Sequence, residues 1–264
     1  MQNLARMKTT TIPLKRSGNR SSCPLTLLLI PLALACFAAS PEAGATCQQG
    51  CLTNDNTVLG DDALIKDTAG HDNTAIGFNA LAANTSGNNN NAVGSEALSS
   101  NTEGSDNVAQ GTDALKNNNG FANTAIGHQA MLSNTTGAGN TAVGSLALYL
   151  NSNGINNTGI GIGALGETIS GGGNTAVGNN ALGRSTADRN TAIGETALAS
   201  VISGADNIAV GEAAGINLQT GDNNIYIGNE GSRGHESEAY ASAPQELTGP
   251  PLSLALVVQP FQQA

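Results

Sequence analysis

The 264-residue chain contains no tryptophan, three tyrosines and four phenylalanines. Tight protein–protein hot spots usually rest on Trp, Tyr and Arg anchors, so recognition by a few strong aromatic contacts is disfavoured. Basic residues are scarce as well, ten Lys and Arg against twenty Asp and Glu. An acidic chain of this kind argues against nucleic acid and against anionic membrane surfaces as partners. The three histidines, His71, His128 and His235, are far apart in sequence, and the four cysteines form no paired zinc pattern. No metal, cofactor or catalytic constellation is expected. Acidic residues such as Asp61, Asp62, Glu96, Asp113, Glu195 and Glu212 fall irregularly, whereas paired catalytic carboxylates need a set separation in a cleft. Calcium-binding β-roll repeats carry Asp in nearly every turn, and here the turns hold Asn. Gly159–Gly163 and Gly171–Gly173 invite a phosphate-loop reading, but both sit in register with a longer pattern and no helix follows.

That longer pattern is a repeat. Asn-x-x-x-Gly returns eleven times, closing on Gly60, Gly77, Gly94, Gly111, Gly127, Gly144, Gly161, Gly178, Gly194, Gly211 and Gly228. The spacing is 17 residues, with two intervals of 16. Asn opens every copy, at Asn56, Asn73, Asn90, Asn107, Asn123, Asn140, Asn157, Asn174, Asn190, Asn207 and Asn224. Leu, Ile or Val precedes the closing Gly everywhere except at Gln110, and Ala-Leu recurs three and four residues after it, as in Ala80-Leu81 and Ala147-Leu148. A second Gly follows ten residues on, as at Gly70, Gly87 and Gly104. A unit this short cannot bury an apolar face alone and must stack on its neighbours.

The apolar stretches span four or five residues between Gly and Asn clusters, too short for helices. In Asn-Thr-Ala-Ile-Gly, Thr74 and Ile76 share one face and Ala75 takes the other, the period of two of a strand. The expected fold is therefore all-β: a parallel β-solenoid of eleven 16–17-residue coils, with two short strands and two Gly-closed corners per coil. At a rise of about 4.8 Å it extends roughly 50 Å. The Asn column is expected to form a structural ladder holding the corners, not a binding site. The aliphatic residues are expected to point inward together with Thr57, Thr74, Thr124, Thr141, Thr158, Thr175 and Thr191. That leaves Ala75, Ala92, Ala109, Ala125, Ala142, Gly159, Ala176, Ala192 and Ala209 as a flat surface for sister chains, and self-association follows. An outward Thr array would suit an ice-binding solenoid, and the inward assignment weighs against it.

The Asn-Thr-Ala-Ile/Val-Gly-x-x-Ala-Leu series resembles the head repeats of trimeric autotransporter adhesins, the YadA-like head family, over about residues 52–231. The resemblance implies a left-handed parallel β-roll, a homotrimer and a bacterial surface-exposed adhesive fibre, expected to bind host, matrix or glycan surfaces multivalently; with no catalytic constellation in the sequence, it is not expected to be an enzyme. The unit also resembles repeats preceding an intramolecular chaperone domain in tail-fibre-like proteins. A passive fibre or spacer lacking its recognition module is the alternative.

Residues 1–24 carry Arg6, Lys8, Lys15, Arg16 and Arg20 with no acid, and Leu25–Ala39 is nearly all apolar. This pattern predicts a signal peptide over 1–45, cleaved after Ala45, with Met7 as an alternative start and Cys36 as the lipidated residue of a competing lipoprotein reading. Fifteen apolar residues containing Pro31 are short for a transmembrane helix. Five basic residues and one acid, Glu42, leave with it, and the mature chain carries 14 net negative charges. Residues 46–55 form an N-terminal cap in which Cys47 and Cys51 are expected to pair as a local disulfide in an oxidising compartment. Residues 56–231 are the solenoid, and 232–264, with Pro244, Pro250 and Pro251, an irregular tail. Secretion to the extracellular space or the outer cell surface follows. The coiled-coil stalk and membrane barrel of the adhesin family are not recognisable in this chain.

Overall fold

A computed structural model describes residues 47–51, 53–231, 234–235 and 240–242. The expected signal peptide lies outside the described residues, as does most of the tail. The described chain is all-β, a parallel solenoid of about ten turns. One sheet runs its length. Strand β1 (Cys47–Cys51) pairs antiparallel with β2 (Thr57–Asp61). Then β3 (Thr74–Ile76), β4 (Asn91–Val93), β5 (Val108–Gln110), β6 (Thr124–Ile126), β7 (Thr141–Val143), β8 (Thr158–Ile160), β9 (Thr175–Val177), β10 (Thr191–Ile193), β11 (Ile208–Val210) and β13 (Ile225–Ile227) add in parallel. Pairing keeps like residues opposite: Thr57 faces Thr74, Ala75 faces Ala92 and Ile193 faces Val210.

The expectation of two strands per coil is not met. One three-residue strand per coil is the rule, and the return path is built of turns. The reason is local backbone. Leu64, Leu81, Leu98, Leu115, Met131, Leu148, Leu165, Leu182 and Leu198 all sit at φ between 50° and 55°, and the residue two before each is left-handed too, for example Asn79 at 56° and Glu96 at 58°. Alternating left-handed residues cannot extend. Successive tight turns form instead, as in Ala82 N–H to Asn79 C=O (3.3 Å) and Asn84 N–H to Leu81 C=O (3.1 Å). Each turn also donates to the next coil, as Leu81 N–H does to Ala97 C=O at 3.0 Å. Only near the C-terminus does a short second ladder appear, where β12 (Leu218–Thr220) pairs with β14 (Gly234–His235).

Glycine closes each strand for a steric reason. Gly144 adopts φ 133°, and a Cβ there would lie 2.5 Å from the carbonyl oxygen of Gly161 in the next coil. No side chain fits such a stack.

The Asn column is buried from end to end. Each amide performs two tasks. Asn140 Nδ2 donates to Gly154 C=O at 2.8 Å, across its own coil, while its Oδ1 accepts the backbone N–H of Asn157 in the following coil at 2.9 Å. One side chain thus closes a coil and ties it to its neighbour. A second buried ladder escaped the sequence reading: Asn84, Asn101, Asn118, Asn134 and Asn151, seven residues after each closing Gly. Asn101 Nδ2 donates to Gly104 C=O at 2.9 Å and to Asn84 Oδ1 at 3.2 Å. Asp67 holds this position in the first coil, accepting from Gly70 N–H and Asn84 Nδ2. Thr168 interrupts the series, and both Asn151 Oδ1 and Thr168 Oγ1 are buried without a partner.

The ends are closed differently. At the last repeat Tyr226 takes the place of the column alanine and is fully buried; a Cβ on Gly215 or Gly231 would meet its ring. Beyond the repeats, where an irregular tail is expected, β15 (Tyr240–Ser242) continues the sheet in parallel against β13. At the other end Cys47 and Cys51 stand at opposite ends of β1. The expected disulfide between them rests on side chains that lie outside the described residues.

Replacing Asn140 with Ala strands Asn157 N–H in the interior, at about 1–3 kcal/mol, and leaves Gly154 C=O only the long bond from Asn151 Nδ2 at 3.4 Å. A loss of about 2–4 kcal/mol is expected in urea unfolding, against less than about 0.5 kcal/mol for Asn117→Ala on the exposed surface. Gly144→Ala, which combines a forbidden φ with a backbone clash, is expected to cost more than about 3 kcal/mol.

Candidate binding surface

The sheet face is reversed relative to the sequence expectation. Ala75, Ala92, Ala109, Ala125, Ala142, Ala176, Ala192 and Ala209 are fully buried. Thr and Ile or Val, which flank them on the strand, point outward. The interior has room only for the small residue because the turn segment directly across the core supplies the larger ones. At Gly159, the one glycine in the alanine column, a Cβ would lie 3.0 Å from Ala164 C=O and 3.5 Å from the Leu148 side chain. Leu81, Leu98, Leu115 and their equivalents already fill that space. The alanines therefore offer no surface to sister chains, and the threonines are not core residues.

The outward face consists of two columns. One holds Thr57, Thr74, Asn91, Val108, Thr124, Thr141, Thr158, Thr175, Thr191, Ile208 and Ile225. The other holds Leu59, Ile76, Val93, Gln110, Ile126, Val143, Ile160, Val177, Ile193, Val210 and Ile227. Neither contains a charge. Exposure along the aliphatic column reaches 42% at Leu59 and Ile193 and 53% at Ile227. Residues are about 4.8 Å apart along the axis and about 7 Å across it, and most are β-branched, with few rotamers to lose on contact. Contiguous apolar faces of this extent mark interaction sites on soluble proteins.

Charges stand along the edges. Asp61, Glu195 and Glu212 follow the closing glycines, and Asp72, Asp106 and Asp206 precede the column asparagines. Arg189 donates to both carboxylate oxygens of Asp206, at 2.7 and 2.9 Å, and this pair of hydrogen bonds holds the Asp206 carboxyl below the usual carboxylate range. Lys116 bridges Glu96 and Asp113, and the hydrogen bond to Glu96 raises its affinity for its proton. Among the described residues, no three His, Cys, Asp or Glu side chains converge as metal ligands would.

The facing can be checked by overpacking. Ala176→Leu is expected to lower stability by about 1–3 kcal/mol or more, because the added atoms enter a filled core. Thr175→Val, one residue away on the outer face, is expected to cause no loss beyond about 0.5 kcal/mol. Both are read from urea midpoints at one protein concentration. Compared with known proteins, the chain matches no family model, no curated protein and no solved structure.

Proposed function

We propose that this chain is the β-roll head of a secreted, trimeric, adhesin-like bacterial surface fibre, a left-handed roll of 16–17-residue coils that acts by binding and not by catalysis. The observation that carries the reading is the uncharged sheet face, Leu59 to Ile227, whose bordering positions carry acids toward the two ends of the rod and none between Asp106 and Arg189. An apolar centre with a polar rim is the anatomy of a protein interface. A partner of the same sequence suits it well. Its rungs repeat at the same rise, so copies aligned in parallel pack row against row along the full length. A strip two side chains wide is covered when three copies close around a common axis, the number implied by the resemblance to trimeric adhesin heads. The remaining coil surfaces then face outward, and many equivalent coils on three chains offer weak contacts that add up through multiplicity.

A second reading gains from the outward threonines. A flat, regular Thr column beside β-branched aliphatics is a surface that could order water as ice-binding solenoids do. The two readings use the same face, so a face sealed between copies cannot also meet ice.

Sedimentation equilibrium of the mature chain is expected to give three times the monomer mass, and the double variant Ile126→Glu with Ile160→Glu to give monomer with an unchanged circular dichroism spectrum. A wild-type monomer at micromolar concentration overturns the assembly. Thermal hysteresis by that monomer would establish the ice-binding reading in its place.

A further inference from the structure

On the turn-built side, the repeat loses its side chains in one place. The column five residues after each closing glycine reads Ile65, Ala82, Ser99, Lys116, Leu132 and Tyr149, then Gly166, Gly183 and Ala199. Three consecutive coils thus present almost no side chain where Tyr149 stands on the fourth. Two columns bordering it complete a depression of about 490 Å³: Leu146, Gly163 and Asn180 on one side, Glu167, Arg184 and Ser200 on the other. The volume lies within the range of sites for small ligands. At about 4.8 Å per coil the depression runs about 14 Å along the axis from Tyr149 to Ala199.

We propose that this depression is a binding groove for a neutral saccharide. Tyr149 is half-buried and lines one end of the groove, where it supplies an aromatic ring. The only other tyrosine whose side chain is described, Tyr226, is sealed in the core. Along the groove stand a carboxylate, a guanidinium, an amide and a hydroxyl. Glu167 and Arg184 lie 3.3 Å apart across adjacent coils and neutralise each other, while their exposed atoms remain able to accept and donate. Asn180 and Ser200 each offer both roles. A sugar ring has the matching chemistry: a C–H face to lie on Tyr149 and hydroxyls that donate to Glu167 and accept from Arg184. The groove has no net charge to attract a phosphorylated or acidic ligand. It is also too shallow and too polar at its edges for a lipid.

The ligand class deepens the adhesin-like reading and rests on it for its biological sense, but the groove itself does not need the trimer. It lies across the core from the sheet face, as the contact between Gly159 and the Leu148–Ala164 segment indicates. Association through that face leaves one groove open on each copy.

The test uses the mature chain and saturation-transfer NMR with lactose, cellobiose, chitobiose and maltotriose as probes. Gly183→Leu fills the groove at a position that tolerates a side chain: its φ is not left-handed, and the nearest atom to a Cβ, Asn180 C=O, is 3.4 Å away. Tyr149→Ala removes the platform and adds no bulk. At least one probe is expected to bind saturably to the wild type, about tenfold more weakly to Tyr149→Ala, and not at all to Gly183→Leu, with melting temperature and sedimentation mass unchanged in both. No saturable binding by any probe, or undiminished binding by Tyr149→Ala or by a folded Gly183→Leu, overturns the proposal. Sugar binding by a monomer sinks the assembly and keeps the groove; a trimer that binds no sugar sinks the groove alone.

Discussion

The structure depends on buried amides that serve two coils at once. A solenoid coil of this size has little core, only an alanine from the strand and an Ala-Leu pair from the turn. Its turns bring carbonyls and amides inside, where each unpaired group is costly. Asparagine answers both needs, because one short side chain carries a donor and an acceptor with fixed geometry. In the first column, from Asn73 to Asn207, it donates to the second glycine's carbonyl, or at Asn174 to that of Ala187, and accepts from the next coil's backbone. The second column, Asn84 to Asn151, converges on the same glycine carbonyl, as Asn73 and Asn84 both do on Gly87, and links to the preceding coil's amide. Where that series ends at Thr168, two buried oxygens are left unpaired.

Backbone conformation follows from this arrangement. Each coil turns through left-handed residues that are not glycine, including the column leucines, a conformation that disfavours side chains by about 1–2 kcal/mol. It is sustained by the turn bonds and inter-coil bonds those residues make and by burial of the leucine beneath the strand. At the closing glycines, and likewise at Gly87, Gly104, Gly120 and Gly137, the next coil's carbonyl occupies the Cβ position.

Function belongs to the surfaces that these constraints leave free. The strand carries one inward and two outward positions, so the outward face is free to take β-branched, uncharged residues. On the turn side the exposed columns tolerate Lys116, Leu132, Tyr149 or glycine alike. A run of small residues there changes the shape of the rod without disturbing its core. The acids lie beside the sheet face and on the turn side, never on the two outward strand columns.

The sequence by itself determined the repeat, its strand register and the Asn column, because those are periodicities, and periodicity survives in one dimension. A period of two says that Thr and Ile share a face; it does not say which side of the sheet is inside. Only the tertiary structure decided that, through volume: once the turn leucines fill the narrow coil, nothing larger than alanine fits opposite, and the aliphatics must go out. The single strand per coil, the second Asn ladder and the groove beside Tyr149 were hidden for a related reason. Each arises from residues in different columns, brought together only when one coil lies on the next.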